Sequence, residues 1–184
     1  PDPPPRLAVL YSHIRYGRRA RATGFKPLHE GLSGEIEPTS QWWVGKEAVT
    51  AVLLQPPEYA RHVLERYSQL LGGADDIEDA VRARVQRQEW LYRPGSKLNV
   101  LMWEAALRSL ICPPSVLAAQ LDRLTGMLGM DTVELGIIPF TASMKIVPAN
   151  GFWVLDDRLV VAEDWHAELG LDDADNVTLY RKAL

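Results

Sequence analysis

A single cysteine, Cys112, is all the thiol the chain holds. That excludes an internal disulfide and a cysteine-built metal site, and it fits a reducing compartment. A basic excess is missing too. Twenty Lys and Arg against 24 Asp and Glu give a formal net charge of -4, which argues against direct nucleic-acid binding by this chain. No apolar run approaches the roughly 18–20 residues of a membrane span, and no charged-then-apolar leader opens the sequence. The expectation is a cytoplasmic protein without a membrane partner. Catalytic signatures are equally scarce. The four histidines (His13, His29, His62 and His166) lack metal-ligand spacing, so no metal or other cofactor is expected. Gly72-Gly73 reads as a helix stop rather than a phosphate loop, and no GxSxG elbow occurs. Cys112 reads as a small core residue.

What is present is ample apolar material: 47% of 184 residues, enough for one globular domain with a real core. The proline-rich opening leads into Leu7 to Ala22, where Leu7, Leu10, Tyr11 and Ile14 have helical spacing beside the basic cluster Arg15, Arg18, Arg19 and Arg21. Residues 1–41 therefore read as a proline-rich start, a basic helix and a linker, and residues 42–184 as the main domain. Trp42-Trp43 opens that domain. Adjacent tryptophans diverge in direction, so one is expected in the core and the other against a neighbouring segment, ligand or partner. A helix is expected from Gln55 to about Leu71, with proline and Glu58 in its first turn. Further expectations are a strand over Leu98 to Trp103, helices over Glu104 to Leu110 and Ser115 to Leu128, and a strand over Val133 to Phe140 that Pro139 ends or holds at an edge. Phe152 to Leu155 and Leu159 to Ala162 read as a hairpin turning at Asp156-Asp157, and Ala174 to Leu184 as a terminal helix. Strands gather in the second half. The fold expected is α+β, several helices on a small, mostly antiparallel sheet of about three to four strands.

One helix breaks the usual pattern. Between Asp75 and Tyr92, the residues Ile77, Ala80, Val81, Val85, Leu91 and Tyr92 trace an apolar face at about 100° per residue, yet Arg84 and Gln88 sit in its middle. Gln120 repeats the anomaly in the later helix. A guanidinium in an apolar face needs a carboxylate or several carbonyls, and Glu104 is the candidate partner. These four residues form either a network fixing helices onto the sheet or a polar pocket, bordered by Trp42, Trp43, Trp90 and Trp103.

The segments LLQPPEYAR, RARVQRQEWL, LNVLMWEAALR, SVLAAQLDRL, VELGIIPF and FWVLDDRLVVAED follow one another in an order that resembles a single family. It is the C-terminal domain of unknown function of actinobacterial, antitoxin-like helix-turn-helix regulators of the XRE family. Leu53-Leu54-Gln55, Tyr59-Ala60, Arg84 with Arg87-Gln88, Glu104 to Arg108, Gln120-Leu121, Ile138-Pro139 and Phe152 carry the likeness. Ala51-Val52 and Pro56 depart from the family's pattern, and no helix-turn-helix precedes the domain. The chain is thus expected to be the C-terminal part of a regulator or a free-standing relative.

The resemblance implies transcription regulation through an effector- or partner-binding domain. The binding candidates are Arg84, Gln88, Glu104, Gln120, Trp42, Trp43 and Trp103. Small-molecule effectors, a small partner protein and a homodimer all stay open as partners. The alternative is a free-standing small-molecule enzyme or binding protein of a biosynthetic pathway, working through Arg84 and Glu104. A purely structural dimerisation module would need an exposed apolar face, which the sequence does not locate.

Overall fold

The computed structural model describes residues 14–18, 36, 38–46, 49–71, 76–147, 150–163 and 168–184. Among the described residues seven strands form one sheet: β1 (Ile14–Arg18), β2 (Gln41–Lys46), β3 (Lys97–Trp103), β4 (Val133–Ile138), β5 (Phe152–Leu155), β6 (Leu159–Glu163) and β7 (Glu168–Leu171). Their order is β1-β7-β6-β5-β2-β3-β4. The pairings β2–β3 and β3–β4 are parallel, and the other four are antiparallel. The class is α+β, but the sheet of three or four strands expected from the sequence is overturned.

Two of the additional strands, β1 and β7, pair with each other and are only five and four residues long. Unlike the equally short β5 and β6, whose runs FWVL and LVVAE are nearly all apolar, IRYGR and ELGL carry glycine and charge and give no strand signal of their own. The helix expected over Leu7 to Ala22 is overturned at Ile14–Arg18, where sheet pairing overrides the local spacing. The rest of that expected helix, with Arg19 and Arg21, lies outside the described residues, as does the stop at Gly72-Gly73.

The helices among the described residues are α1 (Pro57–Leu71), α2 (Ile77–Arg87), α3 (Ala105–Arg108), α4 (Pro114–Met127) and α5 (Ala174–Lys182). None is long and apolar enough to cross a membrane. The parallel pairings follow from the connections: α1 and α2 lie between β2 and β3, and α3 and α4 between β3 and β4.

Strand alternation gives the sheet two faces. On the first, Trp42 and Val44 of β2, Leu98, Val100 and Met102 of β3, and Trp153 and Leu155 of β5 meet Leu124 and Met127 of α4 in the main core. Helix α1 forms an outer layer. Its Tyr59 and Val63 pack on Val116 and Leu117 of α4, and its Leu64 on Ala80 and Val81 of α2. On the second face Val154 and Val160 are closed off by Val177 of α5. Gly45 of β2 also lies on this face, under the Phe152 ring; a Cβ there would stand 2.9 Å from the ring. Phe152 can therefore lie flat and reach Tyr180 of α5 edge-on at 4.9 Å.

The turn Asp156-Asp157 joins β5 to β6 with both residues at positive φ, 48° and 51°. Arg158 completes a three-residue loop, its N–H donating to the Leu155 carbonyl, and short polar side chains tolerate the left-handed backbone at the two aspartates. The Asp156 carboxylate accepts from the N–H groups of Ser40 and Gln41, at 3.0 and 2.7 Å to Oδ1. The turn thereby pins the start of β2.

Candidate functional site

The polar cluster is built around one turn. Residues Val52–Leu54 make a single 3-10 turn, and Gln55 leaves it extended into Pro56 and Pro57. Proline carries no N–H, so the buried carbonyls of this turn need donors from elsewhere in the fold. Side chains supply them. Gln88 Nε2 donates to the Gln55 carbonyl at 2.6 Å, and Gln120 Nε2 to the Leu54 carbonyl at 3.1 Å. The Gln55 side chain, itself 2% exposed, reaches back to the Thr50 carbonyl at 2.7 Å and accepts from Arg84 Nη1 at 2.9 Å. Arg123 Nη2 reaches Gln88 Oε1 at 3.4 Å, at the rim. Three of the seven residues singled out in the sequence, Arg84, Gln88 and Gln120, therefore converge, and all three are buried.

The stripe on α2 is shifted from the one drawn on the sequence. Its buried members are Ala80, Val81, Arg84 and Arg87, and Gln88 and Leu91 continue it in the following 3-10 segment Gln88–Tyr92. Val85 is 38% and Tyr92 62% exposed. Arg84 lies at the centre of the buried stripe rather than interrupting it, and Val85 falls about 100° round the helix from Arg84. Gln55 completes the cluster and was missed as a site residue. Its signal was its position directly before two prolines.

Glu104 does not belong to this cluster, which overturns the expected Arg84–Glu104 pair. It follows β3 directly and turns toward the end of β4. There it accepts from the backbone N–H of Phe140 at 2.8 Å and from Arg108 Nε at 2.6 Å. These two donors, the Phe140 N–H first and Arg108 second, hold its carboxyl below the usual carboxylate value. A depressed folded-state pKa contributes stability above the ordinary carboxylate pKa, and that contribution is lost as pH falls through the lower, folded value. Acidification should therefore loosen the Phe140 N–H, seen as faster amide exchange at that residue below the ordinary carboxylate range. Glu104→Gln should abolish this pH dependence; if the exchange rate of Phe140 kept its acid step in that variant, another group would be responsible.

Trp103 is also remote from the cluster. It packs edge-on against Phe140 with centroids 5.6 Å apart, on the second face of the sheet. Phe140 is 53% exposed, and the exposed apolar residues Ile137, Met144, Ile146 and Val147 belong to the same stretch of chain.

The two adjacent tryptophans divide as expected. Trp42 is fully buried, between Trp90 at 5.8 Å and Trp153 at 5.3 Å, both edge-on. Trp43 faces the other side, where the Arg181 guanidinium of α5 lies 3.6 Å over its ring and pairs with Asp157 at 2.8 Å. With the Asn99 amide turned to satisfy its neighbours, it accepts from Trp43 Nε1 at 3.2 Å and donates to Glu134 at 3.1 Å. Trp43 thus meets a neighbouring segment.

Among the described residues no three His, Cys, Asp or Glu side chains gather as a metal-ligand set. Cys112 is buried beside Tyr59 and Val63, and burial pushes its thiol up, away from a reactive thiolate.

The fold and its inward-turned polar cluster define an α+β domain whose most unusual side chains bond to one turn of its own chain. Residues 43–184 match the family model described as Domain of unknown function (DUF5753), and the chain belongs to that family. The comparison with curated proteins found no match.

Proposed function

We propose that the chain is the partner-binding regulatory domain of a transcriptional regulator, with DNA contact left to a helix-turn-helix domain outside these residues. The contrast between two places carries this reading. Arg84, Gln88 and Gln120 donate to carbonyl oxygens of the chain itself, on the Val52–Gln55 segment, so the polar cluster serves as internal scaffolding. The Trp103–Phe140 pair, by contrast, stands partly exposed on the second face of the sheet, and the exposed apolar residues Met144, Ile146 and Val147 follow it along the chain. Exposed aromatic side chains grouped in this way mark protein-binding surfaces. The family likeness to antitoxin-like regulators of the XRE type adds the regulatory context, and a net charge of -4 supports leaving nucleic acid to another domain. An enzyme acting through Arg84 and Glu104 loses its basis, because Glu104 bonds to Arg108 and Phe140 instead.

Calorimetric titration of the chain with the small protein encoded beside its own gene tests the proposal. Binding that Phe140→Asp removes, with the melting temperature unchanged, is the expected result. A metabolite that raises the melting temperature of the wild type but not of Arg84→Met would overturn it in favour of an effector pocket.

A further inference from the structure

The chain holds three asparagines, Asn99, Asn150 and Asn176, and their surroundings differ. Asn99 sits inside β3, its amide engaged by Trp43 and Glu134. Asn176 sits in α5, its amide donating to Asp173. A stiff, β-branched valine follows each of them, Val100 and Val177. Asn150 is exposed and is followed by Gly151. The peptide joining these two comes just before β5 and stands outside the strand. Glycine has no Cβ to restrict that peptide or to shield its nitrogen. Asparagine is the more labile for both reasons.

Gly151 also makes an attachment. Its carbonyl accepts from the Glu163 N–H at 2.9 Å, which prolongs the β5–β6 pairing beyond Phe152 and Ala162. The Phe140 N–H, held by the Glu104 carboxylate, is an attachment earlier in the chain. Between the two runs the stretch that carries the exposed Met144, Ile146 and Val147.

We propose that Asn150 and Gly151 form a self-modifying site, which turns to aspartate and isoaspartate with time and so loosens the entry to β5. The Gly151 nitrogen attacks the Asn150 side-chain carbon Cγ and gives up its proton. The Cγ–Nδ2 bond breaks, and ammonia leaves with that proton. A cyclic imide now joins the residues, and water opens it. Water adding at Cγ restores the ordinary backbone with an aspartate side chain. Water adding at the backbone carbonyl of residue 150 leaves the chain running through Cγ, as isoaspartate. Nothing is oxidised or reduced: an amide and water become a carboxylate and ammonium. Either product carries one more negative charge than the starting chain. Isoaspartate also inserts a methylene into the backbone directly before Gly151. That displaces the Gly151 carbonyl from the Glu163 N–H, whose hydrogen bond depends on distance and angle. The chemistry needs no partner, so it stands whether or not the Phe140 face binds another protein.

Incubation of the full chain in neutral buffer at physiological temperature, sampled over weeks, tests the site. The tryptic peptide 146–158 holds Asn150 and no other asparagine. Its mass should rise by the difference between amide and acid, and it should separate chromatographically into aspartate and isoaspartate forms. The peptides with Asn99 and Asn176 should stay unchanged. Gly151→Ala should slow the conversion severalfold, and Asn150→Ser should abolish it. Amide exchange at Glu163 should be faster in the aged chain than in the fresh one, through local opening, and should not change with age in Asn150→Ser. No conversion at Asn150, or equal conversion at all three asparagines, overturns the proposal. So does a converted chain in which Glu163 exchanges as it does in the fresh one.

Discussion

Trp42→Ala should lower the melting temperature by roughly 10–15 °C, the larger of the two strongest effects expected from single substitutions in this chain. Trp42 is fully buried on an interior strand of the sheet and touches two other indoles, Trp90 and Trp153, edge-on. Removing it takes away the apolar transfer energy of a large side chain and leaves a cavity that strands on both sides cannot close, together about 3–5 kcal/mol. Its neighbour is the control. Trp43→Ala removes a half-buried ring and its Arg181 contact, worth about 1 kcal/mol at a site still reached by water. Differential scanning calorimetry of the two variants side by side settles the matter, and comparable shifts would mean that the core does not centre on Trp42.

Gln55→Leu should destabilise the chain by about 3 kcal/mol although the side chain changes little in volume. The lost amide leaves the Thr50 carbonyl without its donor and takes from Arg84 a buried acceptor 2.9 Å away. Uncompensated buried polar groups cost about 1–3 kcal/mol each, and more when charged. The Arg84→Met background makes the test specific. With the guanidinium already gone, Gln55→Leu should cost clearly less, because neighbours sharing one hydrogen bond couple in a double-mutant cycle. Urea denaturation of the wild type, both single variants and the double variant gives the coupling. Strict additivity would show that Arg84 and Gln55 act independently. Gln120→Leu is a milder change: the Leu54 carbonyl loses its donor, but Gln120 Oε1, buried without a hydrogen bond among the described residues, is removed with it.

How far the sequence could be read follows from range. The edges of α1, α4 and β4 were legible because proline, glutamate in a first turn and apolar spacing act within a few residues. The burial of Arg84, Gln88 and Gln120 was legible for the same reason: polar residues inside an apolar period require an explanation. Their partner was not. Gln55 and the carbonyls of its turn lie 29 to 66 residues away from the side chains that serve them, and no local pattern reports such a distance. Glu104 looked like the partner because carboxylate suits guanidinium; among the acceptors that Arg84 does meet is the neutral side chain of Gln55. The sheet was undercounted because β1 and β7 owe their existence to each other and to β6. The Trp103–Phe140 contact joins the ends of β3 and β4, across a distance no local pattern reports, and Trp103 read instead as a border of the polar cluster.

Strand β2 lies in the interior of the sheet, and Trp42 finds its two backbone neighbours at Leu98 and Leu155. Both are distant along the chain, and one lies near its far end. Loop closure over such spans makes early pairing entropically unfavourable and slows folding relative to local topologies. A chain growing on the ribosome would thus carry Trp42 unpaired until Leu155 had emerged. Shortened versions ending before β5 would have no folded state to fall back on. The molecule should acquire its structure late and in one cooperative step, and a burst of protected amides in nascent chains truncated after Trp103 would contradict that.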